Sequence, residues 1–382
     1  MVSITKLFCG AEEDFDFLRY GTPAKERKPV VVWNITGRCN LSCKHCYAGA
    51  RTEDREEDHI STELAKKVID DISFFGVPVL LFSGGEPLLR KDILELIEYA
   101  RKRGIRTVLS TNGTLISKDL AKALREAGVS YVGISVDGIG MTNDLFRGKR
   151  GAFEKAKEGI RNCKDAGIKV GMRFTITRQN FTEIPSVLDF FEKENIDRIC
   201  FYHLVYSGRG KELIDLDLTH EERRKVLDYI IKRTKEMFER NKNIEVLTVD
   251  NHADGPYLYL KLLKEDPERA RGVYKFLSKN EGNLSGVGIA CIDEKGDVHP
   301  DQFWRDYTIG NINERPFSEI WTDERDELLK RLRNKKLYLK GRCARCRFLK
   351  ICGGNFRVRA YAKTGDLWAP DPQCYLTEEE IS

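Results

Sequence analysis

The sequence lacks any long hydrophobic run, and this absence excludes a bilayer-spanning helix. Its longest apolar stretches, around Val77 to Phe82 and Val30 to Ile35, fall far short of the ~20 residues that a membrane helix needs. The amino terminus, Met1 to Lys6, has no apolar segment of the kind found in secretory signals. We therefore predict a cytoplasmic protein with no membrane partner.

A large excess of charge of one sign is also missing. The chain has 65 Lys and Arg against 60 Asp and Glu, a net charge of +5, with both signs interspersed. Nucleic-acid-binding proteins normally carry a strong basic patch, so no nucleic-acid partner is predicted. The modest basic excess still suits a small substrate rich in carboxylates. With 382 residues, the chain is long enough for two or three domains.

Cysteine, in contrast, is abundant, with 11 residues. Disulfides are not expected in a reducing compartment, whereas cysteines with two- and three-residue spacers usually bind metal. The isolated Cys163 and Cys200 are predicted to be small buried hydrophobic residues. The clustered cysteines form one group near the amino terminus and another near the carboxyl terminus: Cys39, Cys43 and Cys46, then Cys343, Cys346, Cys352 and Cys374.

Between residues 30 and 203, short β-branched runs alternate with segments whose apolar residues recur at helical steps. The predicted strands are Val30–Ile35, Val79–Ser83, Thr107–Thr111, Tyr131–Ser135, Lys169–Ile176 and Arg198–His203. The predicted helices are Thr62–Phe75, Asp92–Arg103, Lys118–Ala127, Ala152–Ala166 and Ile184–Glu194. Six βα units in series predict a parallel sheet with right-handed crossovers. Six units are too few for a closed eight-stranded barrel, so the expected fold is α/β, a partial (β/α)6 barrel.

The pattern changes outside this region and suggests four segments. A long charged helix and a helical insert follow the barrel, and Gly, Pro and Cys become frequent beyond Gly286. So little periodic apolar sequence remains in the tail that an internal metal cross-link is physically plausible. The predicted segments are an N-terminal extension (residues 1–27), the barrel (28–215), a helical bridge (216–285) and a small C-terminal domain (286–382).

The first cysteine group follows the first predicted strand directly. Three thiolates can hold three irons of a 4Fe-4S cube, which leaves the fourth iron open for a chelating ligand. The alternative is a zinc site in which His45, between Cys43 and Cys46, is the fourth ligand. Spacing alone does not separate the two.

Polar motifs follow the next three predicted strands. In Ser83-Gly-Gly-Glu-Pro87, the glycines let backbone approach a ligand, and Glu86 can accept a hydrogen bond from an ammonium group. The next two strands end in Ser110-Thr-Asn-Gly113 and Ser135-Val-Asp-Gly138, whose polar groups suit ribose hydroxyls. Each motif alone is also typical of an ordinary capped turn.

Together and in this order, these motifs resemble the radical S-adenosylmethionine (SAM) superfamily. Its C-x3-C-x2-C motif is met by the first cysteine group and its GGEP motif by Gly84 to Pro87. The resemblance implies a 4Fe-4S cluster whose open iron chelates SAM, a 5′-deoxyadenosyl radical that abstracts hydrogen from substrate, and a low-potential electron donor of the flavodoxin or ferredoxin type. For Arg147 the alternative is a surface arginine in a loop. The implied SAM contacts are Gly84, Gly85, Glu86, Ser110, Asn112, Ser135, Asp137 and Arg147.

The second cysteine group is a four-thiolate set that suits either zinc or a 4Fe-4S cluster. Its spacing resembles the SPASM or twitch-like extension of radical SAM proteins, and SPASM extensions usually carry two auxiliary clusters. Two cysteines of that pattern are missing here, because Asp301 and Phe356 stand at their positions. We therefore predict one auxiliary cluster on the four cysteines, and two 4Fe-4S clusters in the chain. Three roles stay open for Cys291 and Asp301: residual cluster ligands, substrate contacts, or ordinary core and turn residues.

Further stretches resemble a narrower family, the radical SAM enzymes of haem d1 and alternative, sirohaem-derived haem biosynthesis. They are Asp16–Tyr20, Tyr202–Gly210, His299–Trp304, Cys352–Arg357 and Cys374–Thr377. The resemblance implies an iron-tetrapyrrole substrate whose carboxylate side chains are remodelled. Conversion of the acetate arms of didecarboxysirohaem to methyls is favoured over the haem d1 reaction on propionates.

An iron tetrapyrrole calls for cations to hold its carboxylates, aromatic rings to stack on the macrocycle and a ligand for its iron. Four residues at the end of the sixth predicted strand offer all three: Tyr202, His203, Tyr206 and Arg209. The alternative for His203 is a hydrogen-bonded core histidine.

Two other functions stay open. Most SPASM proteins modify ribosomally made peptides, but fewer than 30 residues precede the first predicted strand, too few for a complete peptide-binding wing. The second is a non-catalytic iron-sulfur electron carrier, which would not need the SAM-contacting strand ends.

Overall fold

A computed structural model describes residues 1–10, 26–53, 55, 59–241 and 243–382. The stretch Asp16–Tyr20 lies outside the described residues, as does most of the predicted N-terminal extension. None of the helices in these ranges is both long and apolar enough to cross a membrane.

Strands and helices alternate through the first two-thirds of the chain. The strands are β1 (Val2–Ser3), β2 (Val30–Asn34), β3 (Val79–Ser83), β4 (Arg106–Thr111), β5 (Tyr131–Ser135), β6 (Val170–Ile176), β7 (Arg198–His203), β8 (Glu245–Val249), β9 (Ile289–Ile292), β10 (Asp297–His299) and β11 (Gly310–Asn311). The six predicted strands are β2 to β7, each with bounds within one residue of the prediction.

The helices of the first part are α1 (Ile4–Cys9), α2 (Thr62–Phe75), α3 (Ile93–Lys102), α4 (Lys118–Ala127), α5 (Met141–Arg147), α6 (Ala152–Asp165), α7 (Ile184–Lys193), α8 (His220–Arg240), α9 (Asp254–Glu265) and α10 (Pro267–Asn280). Those of the tail are short: α11 (Phe317–Thr322), α12 (Glu327–Arg333), α13 (Gly341–Ala344), α14 (Leu349–Cys352), α15 (Arg357–Thr364) and α16 (Glu378–Ile381).

Local sequence explains where the barrel helices begin and end. At α2, the Ser61 side chain accepts a hydrogen bond from the Leu64 backbone, and Gly76 ends the helix at φ +89°. The face of α2 turned to the sheet buries Val68, Ile69 and other apolar residues, each worth roughly 1.5–3 kcal/mol of hydrophobic stabilisation.

The parallel sheet extends beyond the six predicted strands at both edges. Strands β2 to β7 pair in chain order, β8 adds in parallel beside β7, and β9 adds in parallel beside β2. The segment 216–285 is therefore helical except for β8, and the tail contributes β9 to the barrel sheet itself. Antiparallel β1 caps one edge, and β10 and β11 continue the other.

A buried ion pair fastens the tail to the barrel. Arg359 on α15 and Asp371 are both fully buried, with Nη2 and Oδ2 2.8 Å apart. The same guanidinium donates to the carbonyl of Leu204, just after β7, at 3.2 Å and to that of Asp250, just after β8, at 2.7 Å. The tail is thereby held over the carboxyl ends of the strands.

Candidate active site

One cavity lies at the carboxyl ends of the parallel strands, as open α/β sheets favour. It is lined by all three cysteines of the first group, by residues at the ends of β3 to β8, and by Gln302 and Phe303 from the tail. Strand ends that are far apart in sequence thus meet at one mouth. The sheet topology therefore brings the cysteine loop and the polar motifs together.

The cysteine loop supplies its own hydrogen bonds to sulfur. The Leu41 backbone donates to Cys39 Sγ at 3.4 Å, and Arg147 Nη1 donates to Cys43 Sγ at 3.6 Å. Burial raises the pKa of the Cys39 thiol to about 12. A thiolate at this position therefore needs a bound metal to stay deprotonated, which is what a cluster ligand has.

The geometry favours a cluster over zinc at the first group. His45 lines the same cavity, but its Nε2 lies 3.5 Å from Asp137 Oδ2, and its ring stacks on Phe146 at 4.6 Å. The three thiols of the first group also line the cavity, and three thiolates suit a 4Fe-4S cube with one open iron.

The glycines of the GGEP motif are required by backbone packing. Gly85 N donates to Thr36 O and Glu86 N to Arg38 O, both at 2.7 Å. A Cβ on Gly84, which has φ +125°, would lie 2.6 Å from Thr36 O, and one on Gly85 would lie 2.0 Å from Arg38 O. Both glycines line the cavity, but their first role is to let β3 dock against the start of the cysteine loop.

The Glu86 carboxylate organises the end of β4. It is fully buried and accepts hydrogen bonds from Thr111 Oγ1 at 2.7 Å, Asn112 N at 2.8 Å and Leu88 N at 3.2 Å. Burial raises its pKa to about 7. Glu86 is not among the cavity-lining residues; its hydrogen bonds position the end of β4, and its contact with an ammonium group stays a prediction.

Arg147 is a buried residue of the cavity wall, which argues against the surface alternative. It ends α5, a seven-residue helix without a side-chain N-cap that the sequence pattern did not predict. Its Nη2 lies 2.5 Å from Asp137 Oδ2, and its buried Nε finds no hydrogen-bond partner in the described part of the chain. Asp137 is fully buried, accepts from Thr175 N at 2.6 Å and does not line the cavity. It orients Arg147, while Ser135 faces the cavity.

Sequence reasoning missed Arg173 in the middle of β6. Its side chain is half-buried and lines the cavity, it donates to Ser110 Oγ, and its buried Nε meets no hydrogen-bond partner among the described residues. The signal was present, since a lone cation among apolar residues of a predicted inner strand needs a partner inside. Asn112 also lines the cavity, but its amide is used by Asn40 and Thr114.

Asp250, at the end of the unpredicted strand β8, is a second missed residue. It lines the cavity, and burial raises the pKa of its carboxyl to about 7. Such a group can hold or release a proton near neutral pH. Its signal was the β-branched run from Ile244 to Val249, too short and too isolated to be assigned to the sheet.

Two of the four predicted substrate residues are engaged within the protein. His203 lines the cavity, but its Nδ1 accepts from Arg223 Nη1 at 2.8 Å and its Nε2 donates to Asp254 Oδ2 at 2.9 Å. Both nitrogens are occupied, which favours the core interpretation of this histidine. Tyr206 is outside the cavity lining and donates to Asp217 Oδ2 at 2.8 Å; its substrate contact stays a prediction.

Tyr202 and Arg209 line the cavity, and their contact with substrate stays a prediction. Arg209 also clamps the cysteine loop: its Nε donates to Cys43 O and its Nη1 to Ala50 O, both at 2.9 Å. Within the residues that the structure describes, its buried Nη2 has no hydrogen-bond partner. Replacing Arg209 would therefore disturb the cluster loop as well as any carboxylate that it binds.

The four tail cysteines come together at a second, small cavity. Cys343, Cys346, Cys352 and Cys374 all line it. Cys291 is not among its lining residues, since it lies in β9 beside β2, where Asn34 Nδ2 donates to its sulfur at 3.6 Å. Asp301 accepts from Ser285 Oγ and from Phe303 N. These contacts favour the core and turn interpretation of both residues.

We expect Cys374→Ser to lose about half of the iron of the reconstituted protein, because one of two cubane sites would lack a ligand. Cys291→Ser is the matched control and should keep its full iron content, since its sulfur faces β2. Iron analysis and electron paramagnetic resonance of both variants, prepared anaerobically, show which of the two cysteines the second cluster needs. Loss of the second cluster in the Cys291 variant alone would show a different ligand scheme.

Comparison with known proteins agrees with this geometry. Residues 33–191 match the Radical SAM superfamily, and residues 286–347 match SPASM, an iron-sulfur cluster-binding domain. The first match contains the cysteine loop and the strand ends around it. The chain therefore uses a 4Fe-4S cluster and SAM, with further iron-sulfur binding in the tail.

Similarity to individual proteins extends over almost the whole chain. This chain is 56% identical to Fe-coproporphyrin III synthase of Methanosarcina barkeri, over 100% of this chain and 99% of that protein. It is 46% identical to pre-heme d1 synthase of Dinoroseobacter shibae, over 94% of this chain and 88% of that protein. The crystal structure of Streptococcus suis SuiB bound to precursor peptide SuiA shares the fold, with TM-score 0.73 and 21% identity over 91% of this chain and 76% of that one. This chain belongs to the radical SAM superfamily and, within it, to the SPASM-containing family of haem-related synthases.

Proposed function

We propose that this enzyme remodels the acetate side chains of an iron tetrapyrrole, converting the acetate arms of didecarboxysirohaem to methyls. The relative that is 56% identical over the full chain is named for making Fe-coproporphyrin III. Coproporphyrin carries methyl and propionate groups but no acetates. An enzyme that forms it from an acetate-bearing precursor must therefore act on acetates and spare propionates.

The observation that carries this proposal is the charge of the cavity. The cavity that holds the three thiols is also lined by Arg173 and Arg209, each with one buried guanidinium nitrogen that no group in the described residues bonds. Buried guanidinium groups pair strongly with carboxylates. Tyr47, Tyr202 and Phe303 add an aromatic wall that suits a flat macrocycle.

The residues present fit the cofactors. Cys39, Cys43 and Cys46 would hold the cluster, and Arg147 and Ser135 beside them would hold the carboxylate of SAM. When bound, cluster and SAM supply a 5′-deoxyadenosyl radical that takes a hydrogen atom from the substrate. The protein orients both partners and, through the tail, covers the mouth of the barrel. A low-potential flavodoxin or ferredoxin would supply the electron.

Anaerobic incubation of the reconstituted enzyme with SAM, reductant and didecarboxysirohaem tests the proposal. Mass spectrometry should show Fe-coproporphyrin III, with every propionate retained. Altered propionates would favour the haem d1 type of reaction instead. SAM cleavage with no change in any tetrapyrrole, together with modification of a cysteine-containing peptide, would establish the peptide-modifying alternative.

We expect Arg173→Met to weaken tetrapyrrole binding by roughly 1.5–3 kcal/mol, the usual loss for a hydrogen bond to a charged group. Optical titration of the cluster-loaded protein without SAM measures this directly. Arg178→Met is the matched control, since that residue lies just after β6 and is 38% exposed. Equal affinity in the wild type and the Arg173 variant would remove Arg173 from the substrate site.

A further inference from the structure

One segment of the tail departs from the even mixture of charges. Residues 328–365 contain 13 lysines and arginines and no aspartate or glutamate. The chain as a whole carries only +5, so the rest of it is net negative. The mixture of positive and negative residues predicted for the whole chain is therefore absent from residues 328–365. This segment also contains three of the four tail cysteines, Cys343, Cys346 and Cys352.

Most of these cations are at the surface. Lys335, Arg357 and Arg359 are buried and bond to the protein interior. The exposed ones are Lys330, Arg331, Lys336, Lys340, Arg345, Arg347, Lys350 and Lys363.

Local acids neutralise only some of the exposed charge. Glu378 is shared by Arg342 and Arg345, at 3.1 and 2.8 Å. In the described part of the chain, no acidic side chain lies within salt-bridge distance of Arg347 or Lys350, which are both exposed. This surface therefore keeps a positive charge at neutral pH.

Three of the exposed cations are close in sequence to the auxiliary cysteines. Arg345 lies between Cys343 and Cys346 in sequence, Arg347 follows Cys346, and Lys350 is on α14 with Cys352. We call Arg345, Arg347 and Lys350 the basic face. Cys346 is half-buried, whereas the other three tail cysteines are buried. The auxiliary site therefore comes nearest to solvent at Cys346, within the basic face.

We propose that the basic face is the docking site of an acidic, low-potential electron-transfer protein, which delivers its electron beside Cys346. The proposal rests on the auxiliary cluster and the reductant invoked for the proposed function. Complementary charge raises the rate of encounter and fixes orientation while leaving a weak, transient complex, as an electron carrier that must leave again requires. A nucleic acid would also be attracted to positive charge, but nothing in its binding calls for a half-buried cluster ligand at the centre.

The test uses the cluster-loaded protein with an acidic flavodoxin as the probe. We expect Arg347→Glu/Lys350→Glu to weaken flavodoxin binding roughly tenfold or more at low salt, since like charges would face each other. The control, Lys122→Glu/Arg125→Glu, reverses two exposed cations on α4 and should bind like the wild type. Calorimetry measures affinity, and stopped-flow measures cluster reduction by flavodoxin and by dithionite.

Reduction by dithionite and iron content should be the same in the wild type and both variants. Unchanged flavodoxin affinity in the Arg347/Lys350 variant, or an equal loss in the control, would overturn the proposal. Binding of a DNA duplex at the basic face without flavodoxin binding would also overturn it. Failure of the dithionite-reduced wild type to convert tetrapyrrole would refute the proposed function instead, and the affinity measurement would still decide the docking site.

Discussion

Arg359→Leu is expected to lower the free energy of unfolding by roughly 3–5 kcal/mol, the cost of leaving a buried ionic partner without its counter-charge. Arg359 and Asp371 are both fully buried. Among the described residues, Asp371 would keep two backbone donors, Phe356 N at 2.9 Å and Gln373 N at 2.8 Å. The bonds from Arg359 to the carbonyls after β7 and β8 would be lost as well.

Anaerobic urea unfolding of the cluster-loaded protein measures this effect. Arg103→Leu is the matched control, because Arg103 and Asp70 form a surface pair with side chains 48% and 45% exposed. Surface pairs are worth about 0–1 kcal/mol, so the control should change little. The double variant Arg359→Leu/Asp371→Leu should recover part of the loss. Equal unfolding midpoints for Arg359→Leu and the control would contradict the claim that the buried Arg359–Asp371 pair stabilises the fold.

Arg147→Met is expected to empty the barrel cluster site, leaving about half of the iron on the tail cysteines. Arg147 is the cation that lies between the buried Asp137 carboxylate and Cys43 Sγ. Without it, a buried aspartate and a buried thiolate face each other uncompensated, at a cost of roughly 3–5 kcal/mol. SAM binding should fall with the cluster.

Iron analysis, electron paramagnetic resonance and equilibrium binding of SAM give separate readouts of this change. Arg150→Met is the control, as Arg150 is exposed three residues further along the chain. Arg147→Met/Asp137→Asn should restore folding but not the hydrogen bond to Cys43 Sγ. Full iron content and unchanged SAM affinity in Arg147→Met would show that Arg147 has neither role.

Local sequence was enough to predict the barrel and its motifs. Strands β2 to β7 are short β-branched runs between amphipathic helices, and the caps of α2 and α4 are encoded by neighbouring serine and glycine residues. The three clustered cysteines and the GGEP motif are defined by spacing alone. These features depend on residues close together in the chain, so periodicity and spacing reveal them.

Only the tertiary structure decided which polar side chain at each strand end faces the cavity. Glu86, Asp137 and Tyr206 are each bonded to a neighbouring element, which the local motifs do not reveal, and their ligand contacts stay predictions. Arg173 and Asp250 line the cavity although no local motif marks them. A buried carboxylate takes whichever donors the adjacent strand and helix bring within reach, and those donors are remote in sequence.

The edges of the sheet also depend on tertiary structure rather than on local sequence. β8 and β9 are short strands in segments predicted to lie outside the barrel, yet each pairs in parallel with an edge of the six-strand sheet. An exposed edge of a parallel sheet leaves backbone donors and acceptors unpaired. Whether a distant run of a few residues pairs with them depends on where α8, α10 and the tail carry it. The sequence alone thus determined the barrel and its cysteine chemistry, whereas long-range packing decided which residues complete the sheet and the cavity.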